Sequence, residues 1–252
     1  VGDVVDSLAA YCTSTGSDPK STYVWICAFC INQWRVQELK RSGASVAFDE
    51  FRDTFGQHVR EIGSVLALME PWTSPKYMRR VWCVFEMHTA ISLKTCKVEV
   101  IMPPAETQAL CSALEACEIN LNSVWKVLAN VDVSRAEASV QSDKDTIMGL
   151  INESSSYGTV NDAVSAYLKE WFSRTLLQHM TSLVQHHDPR LSDHQLVAAV
   201  RTVSDLMRDS GRFSESLQLL GSCGQAIRDK SALARLRHLL GVTYMKWGKL
   251  EE

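Results

Sequence analysis

The stretch SVLALMEPWTSPKYMRRVWCVFEMHTAISLKTCKVEVIM, Ser64 to Met102, changes its apolar rhythm twice, and those changes decide the fold class. Ser64 to Met69 is a short unbroken apolar run, the pattern of a strand covered on both faces. After the PWTSP loop the spacing turns helical from about Met78 to Ser92. Lys97 to Met102 reads as a second strand, stopped by Pro103 and Pro104. Strand, helix and strand in this order predict an α/β unit with a mostly parallel sheet and helices on its faces.

The same alternation extends outward. Upstream, Val4, Val5, Leu8, Ala9 and Cys12 recur at helical spacing within Val1 to Thr13, and TSTGSDPKS breaks the chain. Thr22 to Ile31 reads as a buried strand, RSGAS as a loop, and Val46 to Ile62 as an amphipathic helix carrying Phe48, Phe51, Phe55, Val59 and Ile62. Downstream, a helix is expected from about Glu106 to Cys117. Beyond residue 120 the pattern is mainly helical, with one last strand open near Val124 to Val133 and ESSSYG as the clearest loop. Such a domain usually opens on a strand, whereas this chain opens on a helix. The first strand is therefore expected upstream of Val1, and the chain is expected to be a fragment.

With 252 residues and 46% hydrophobic content the chain can bury a sizeable core. A net charge of -3 gives no basic footprint for nucleic acid and no polybasic patch for a membrane. No apolar run is long enough to span a bilayer. The eight cysteines, Cys12, Cys27, Cys30, Cys83, Cys96, Cys111, Cys117 and Cys223, lie in apolar or helical contexts, which points to reduced thiols and a cytosolic setting. Cys27 and Cys30 form a C-x-x-C, but on a strand residues three apart face opposite ways, so no shared metal or bridge is expected. His179, His186, His187 and His194 are interrupted by Pro189 and read as a polar connection rather than a metal site.

The chemistry concentrates around Glu86, an acid in an otherwise apolar helix. Arg79, Trp82, Cys83 and Glu86 are spaced to share one helical face. In a parallel sheet the loops after the strands lie at the carboxyl edge, where ligands bind. By that rule Asn32 and Gln33, and Glu70 and Trp72, converge on the same edge as Glu86. Amides, an indole and a carboxylate suit a planar polar ligand. The alternative is structural: Glu86 pairs with Arg79 or Arg80 and caps backbone under a loop.

Two motifs carry a family resemblance. PWTSPKYMRRVWCVFEM resembles the segment of Toll/interleukin-receptor (TIR) domains with Trp-Cys-x-x-Glu, matched by Trp82, Cys83 and Glu86. YVWICAFCINQ is similar to the strand of heterokaryon-incompatibility (HET) domains, matched by Tyr23, Trp25, Ile26, Cys30, Ile31, Asn32 and Gln33. The family's acid falls at Cys27, a departure that weighs against catalysis. The resemblance implies a flavodoxin-like, TIR-like sheet over residues 1–135. It also implies NAD+ as a substrate, with Glu86 catalytic in cleaving the nicotinamide–ribose bond and Trp72 or Trp82 as a stacking wall. Arg79 and Arg80 are candidates to meet the pyrophosphate, with surface solvation or a salt bridge to Glu70 as the alternative, and no further cofactor is implied.

Near the end, GRFSESLQLL from Gly211 and GKLEE from Gly248 repeat a small-residue turn and helix start 37 residues apart. Leu239, Leu240, Gly241, Tyr244, Gly248, Lys249, Leu250 and Glu251 resemble the tetratricopeptide repeat of kinesin light chains. The whole pairing is similar to algal and protist proteins that join the two parts. It implies a helical connector over 136–195 and the start of a repeat array over 196–252. The expected function is a cytoplasmic signalling scaffold, with the TIR-like part self-associating and the repeat groove taking a protein or peptide. An NAD+ glycohydrolase is the alternative.

Overall fold

The computed structural model describes residues 2–26, 38, 42, 56–93, 95–116, 121–138, 141–186 and 191–248. Among them it is mostly helical, with one two-stranded parallel sheet. The chain divides into two compact units. One comprises Val1–Pro104 and Val131–Val164, the other Ala105–Asn130 and Ser165–Glu252.

In the first unit, helix α1 (Gly2–Thr15) is followed, after residues outside the description, by a helical segment at 56–62. Strand β1 (Ser64–Leu68), helix α2 (Val81–Ser92) and strand β2 (Lys97–Ile101) come next. Ser64 pairs with Lys97 and Leu68 with Ile101, and Met69 N–H extends the ladder to Ile101 O at 2.9 Å. The parallel pair is the one expected from Ser64–Met102, because a short apolar strand must cross over a helix to lie beside a parallel neighbour.

Helix α2 packs on both strands. Val81, Val84, Met87 and Ala90 are buried along it, and Trp25, Val65, Phe85 and Val98 gather around Val59 and Ala90. Helix α5 (Gln141–Ser154) also packs against α2. Tyr11 Oη donates to Glu99 Oε1 at 2.7 Å, tying α1 to β2.

The helix expected at the start of the chain is present as α1, with Ser7 and Cys12 buried and Val5 58% exposed. Two expectations need correction. The strand expected over Thr22–Ile31 fails in its described part. Residues 22–26 join no strand and Tyr23 is 91% exposed, because β-branched and aromatic content makes a strand only where a neighbour pairs with it. Residues 27–31, with Cys27 and Cys30, lie outside the described residues, as does most of the helix expected over Val46–Ile62.

The second correction concerns the strand left open at Val124–Val133, where helix α4 (Leu121–Ala129) of the second unit stands instead. Val124 and Leu128 are buried, a spacing of four that a helix turns to one side. Helix α3 (Pro104–Glu115) precedes it, starting at a proline whose missing N–H costs nothing in a first turn. Helix α6 (Tyr157–His186) belongs to the first unit up to Val164 and to the second from Ser165.

Helices α7 (Asp193–Asp209), α8 (Phe213–Ala226) and α9 (Lys230–Trp247) pack on one another in sequence. Gly211 (φ +74°) and Gly248 (φ +73°), the two repeated small residues, both take the left-handed conformation that ends a helix cheaply only at glycine. Between these helices lies a buried polar cluster. Arg208 Nη1 donates to Ser204 Oγ at 3.2 Å and to Thr243 Oγ1 at 3.1 Å, its Nη2 pairs with Asp205, and Ser204 bonds Ser216 at 2.5 Å. Among the described residues no helix is long and apolar enough to cross a membrane.

Candidate functional site

The segment after β1 sets the site. The chain leaves the carboxyl end of the strand through Glu70 to Ser74, makes a 3-10 turn at Lys76–Arg79 and enters α2 at Val81. The loop is held by its own groups. Lys76 N–H donates to Glu70 O at 3.0 Å, Lys76 Nζ reaches Glu70 Oε2 at 3.0 Å, and Arg79 Nη2 donates to Ser74 Oγ at 2.7 Å. Glu70 is thus engaged by Lys76.

The helix begins three residues later than expected. Arg79 therefore lies before α2, in the 3-10 turn, and does not share the helical face of Trp82, Cys83 and Glu86. A neighbouring segment anchors this start. Val81 N–H donates to Glu137 O at 3.0 Å and Glu137 N–H to Arg79 O at 2.6 Å, so one of the unpaired first-turn donors of α2 is satisfied by a backbone carbonyl.

Glu86 projects from the second turn of α2 and is only partly exposed. Burial pushes its carboxyl up to about 7, and the Arg80 charge offsets this only in part. Among the described residues no salt bridge joins Glu86 to Arg79 or Arg80, so the structural pairing left open by the sequence is not made. Tyr77 completes the surroundings. Burial holds its hydroxyl well above the usual tyrosine range, and the charges of Glu86 and then Cys83 add to the effect. Its Oη is buried without a hydrogen-bond partner among the described residues. A carboxyl poised near neutrality beside an unsatisfied hydroxyl is a high-energy arrangement that a polar ligand would relieve.

Trp82 and Cys83 share the half-buried shoulder of α2 with Glu86, and Trp72 is half-buried in the loop before it. Asn32 and Gln33 lie outside the described residues. Tyr77 was missed by sequence reasoning, since a tyrosine between a lysine and a methionine after a loop reads as surface. The signal available was its place in the turn leading into α2.

The histidines part company. His186 lies in the last turn of α6 and His194 reaches Asp229 Oδ1 at 3.4 Å, while His187 lies outside the described residues. His179 is no part of a polar connection: it stands inside α6, half-buried, with Cys111 and Glu115 on either side of its ring. Among the described residues no three His, Cys, Asp or Glu side chains are grouped to hold a metal ion.

A concave feature lies within the second unit, between α6 and α8. It has a volume of about 390 Å³, with Gln178, Gln185 and Gln218 around it, Leu177 and Leu219 as its apolar part, and Glu215 at one end. Glu215 is bidentate with Arg212, whose Nη1 also reaches Glu170 at 3.3 Å. No protein-family model, curated protein or solved structure matches this chain.

Proposed function

We propose that this chain is a cytosolic signalling scaffold, in which a TIR-like, flavodoxin-like unit is coupled to a tetratricopeptide-like helical array that holds a protein or peptide segment. The observation that carries this reading is the cleft between α6 and α8. Its three glutamines offer donors and acceptors at uncharged positions, and its one acid is already neutralised by Arg212. Such a lining suits the backbone of an extended peptide better than a phosphate or a strongly charged ligand. The resemblance of Leu239–Glu251 to a repeat, and the left-handed glycines Gly211 and Gly248, support the array. Self-association of the TIR-like unit is part of the same reading.

The test is selection from a random peptide library on the immobilised protein, with recovered peptides titrated against wild type and a Gln178→Ala/Gln218→Ala variant. Peptides that lose about tenfold or more in affinity with the variant support the reading, since each lost side-chain hydrogen bond is worth on the order of 1 kcal/mol. Peptides that bind both alike remove the cleft from consideration.

The second reading, an NAD+ glycohydrolase, is favoured by Glu86 beside Tyr77. As nicotinamide leaves, positive charge develops on the ribose, and an adjacent carboxylate stabilises it. Only the ionised form does this, so turnover would rise as pH passes about 7, where Glu86 loses its proton. Nicotinamide release measured across the neutral range, wild type beside Glu86→Gln, decides the matter. A rising profile abolished in the variant supports an enzyme, and no release from either protein sinks this second reading.

A further inference from the structure

Cys111 and Glu115 stand one turn apart on α3, and His179 faces both from α6. His179 Nε2 lies 3.2 Å from Glu115 Oε1, and His179 Nδ1 lies 3.4 Å from Cys111 Sγ. An ionised carboxylate can only accept, so the proton of the neutral imidazole belongs on Nε2. That leaves the Nδ1 lone pair directed at the thiol, which donates to it. The order of groups is therefore nucleophile, base, and acid that orients the base. All three residues are partly exposed, with His179 and Glu115 side chains at 24% and 22%.

We propose that this cluster makes Cys111 a histidine-assisted nucleophilic thiol that takes small soluble disulfides of the glutathione class. Exchange asks only for a thiolate, a route in, and a proton for the leaving sulfur. His179 Nδ1 removes the proton from Sγ. The thiolate attacks one sulfur of the disulfide, a Cys111–sulfur bond forms, and the old sulfur–sulfur bond breaks with its electron pair on the departing sulfur. That sulfur then takes the proton back from His179. One protein thiol and one disulfide give one mixed disulfide and one free thiol, and Glu115 stabilises the imidazolium in between.

Burial and the Glu115 charge hold the Cys111 thiol above its ordinary value, so it is protonated at neutral pH and inert unless a base acts on it. Cys96 is the internal control. It has intermediate exposure, its thiol is also raised by burial, and its sulfur meets a backbone carbonyl, that of Lys97 at 3.9 Å, in place of a base.

The full chain is incubated with glutathione disulfide at neutral pH, and mixed disulfide at each cysteine is followed by peptide mass spectrometry. Cys111 is expected to react about tenfold or more faster than Cys96, the gain of a positioned base. His179→Gln should remove that advantage and Glu115→Gln should reduce it several-fold, with the rate at Cys96 unchanged. A variant that unfolds is recognised because buried Cys12 and Cys223 then react as well. Equal rates at Cys111 and Cys96 in the wild-type protein overturn the proposal without recourse to any variant, as does a Cys111 rate indifferent to His179→Gln in a folded chain.

Discussion

Glu86 and Tyr77 are each held at a cost. The native Glu86 carboxyl keeps its proton up to about pH 7, while in the unfolded chain it ionises near 4.5. Between those values unfolding releases a proton, so rising pH favours the unfolded state, and the penalty is complete above pH 7 and absent well below 4.5. Glu86→Gln is therefore expected to stabilise the protein by about 2 kcal/mol at about pH 8, allowing for partial exposure, and by nothing at about pH 4. Urea unfolding at the two pH values checks this, and a loss of stability at the higher pH would mean that the carboxylate makes contacts the fold depends on. Tyr77→Phe removes a buried hydroxyl with no partner among the described residues, and a gain of about 1 kcal/mol in the same measurement is expected. Gains at both positions would identify groups retained for a purpose other than stability. The acid was legible in the sequence because it interrupts an apolar helix. The tyrosine was not, since its burial comes from the turn before α2.

At the scale of elements, legibility followed the length and regularity of the apolar pattern. β1, α2 and β2 were readable because each has one rhythm and a clear stop, the Glu70–Ser74 loop or Pro103. The start of α2 was misjudged because the Lys76–Arg79 turn has helical spacing without being α-helical. Residues 22–26 show the opposite failure, a strand-like composition whose pairing depends on residues distant in the chain. In α6 the buried residues Val160, Val164, Leu168, Phe172, Leu176 and Met180 recur every four positions. At 3.6 residues per turn that stripe drifts round the helix by about 40° per step, so no single face looks apolar over its whole length. The capping signal of α7 was present in the sequence as Ser192-x-x-Gln195. Ser192 Oγ accepts Gln195 N–H at 3.3 Å, and Gln195 Oε1 accepts Ser192 N–H at 3.0 Å. Ser192→Ala is expected to cost about 1 kcal/mol, read as a lower urea midpoint with an unchanged slope. No change would mean that the first turn of α7 is held by packing alone.

Over the whole molecule, α6 contributes buried residues to both units, Val160 and Val164 in the first and Leu168 and Phe172 in the second. The division could not be read along the sequence, because the first unit resumes at Val131 after the second has begun at Ala105. Continuity of a helix across the division has a thermodynamic consequence. Helical hydrogen bonds are made cooperatively, so melting one half of α6 exposes an end of the other half and weakens it. Wild-type unfolding is accordingly expected to be a single transition. Ser165 sits at the division, buried at 7% exposure, with its Oγ bonded to Ala129 O at 3.3 Å. A proline there removes a helical hydrogen bond, clashes with the preceding turn and loses the Ala129 contact, at a cost of about 3 kcal/mol or more. Ser165→Pro is expected to lower the stability of the second unit and to split the calorimetric transition in two. If wild type already melts in two steps, the continuity of α6 does not couple the units. If Ser165→Pro only lowers a single transition, the coupling runs through something other than the helix.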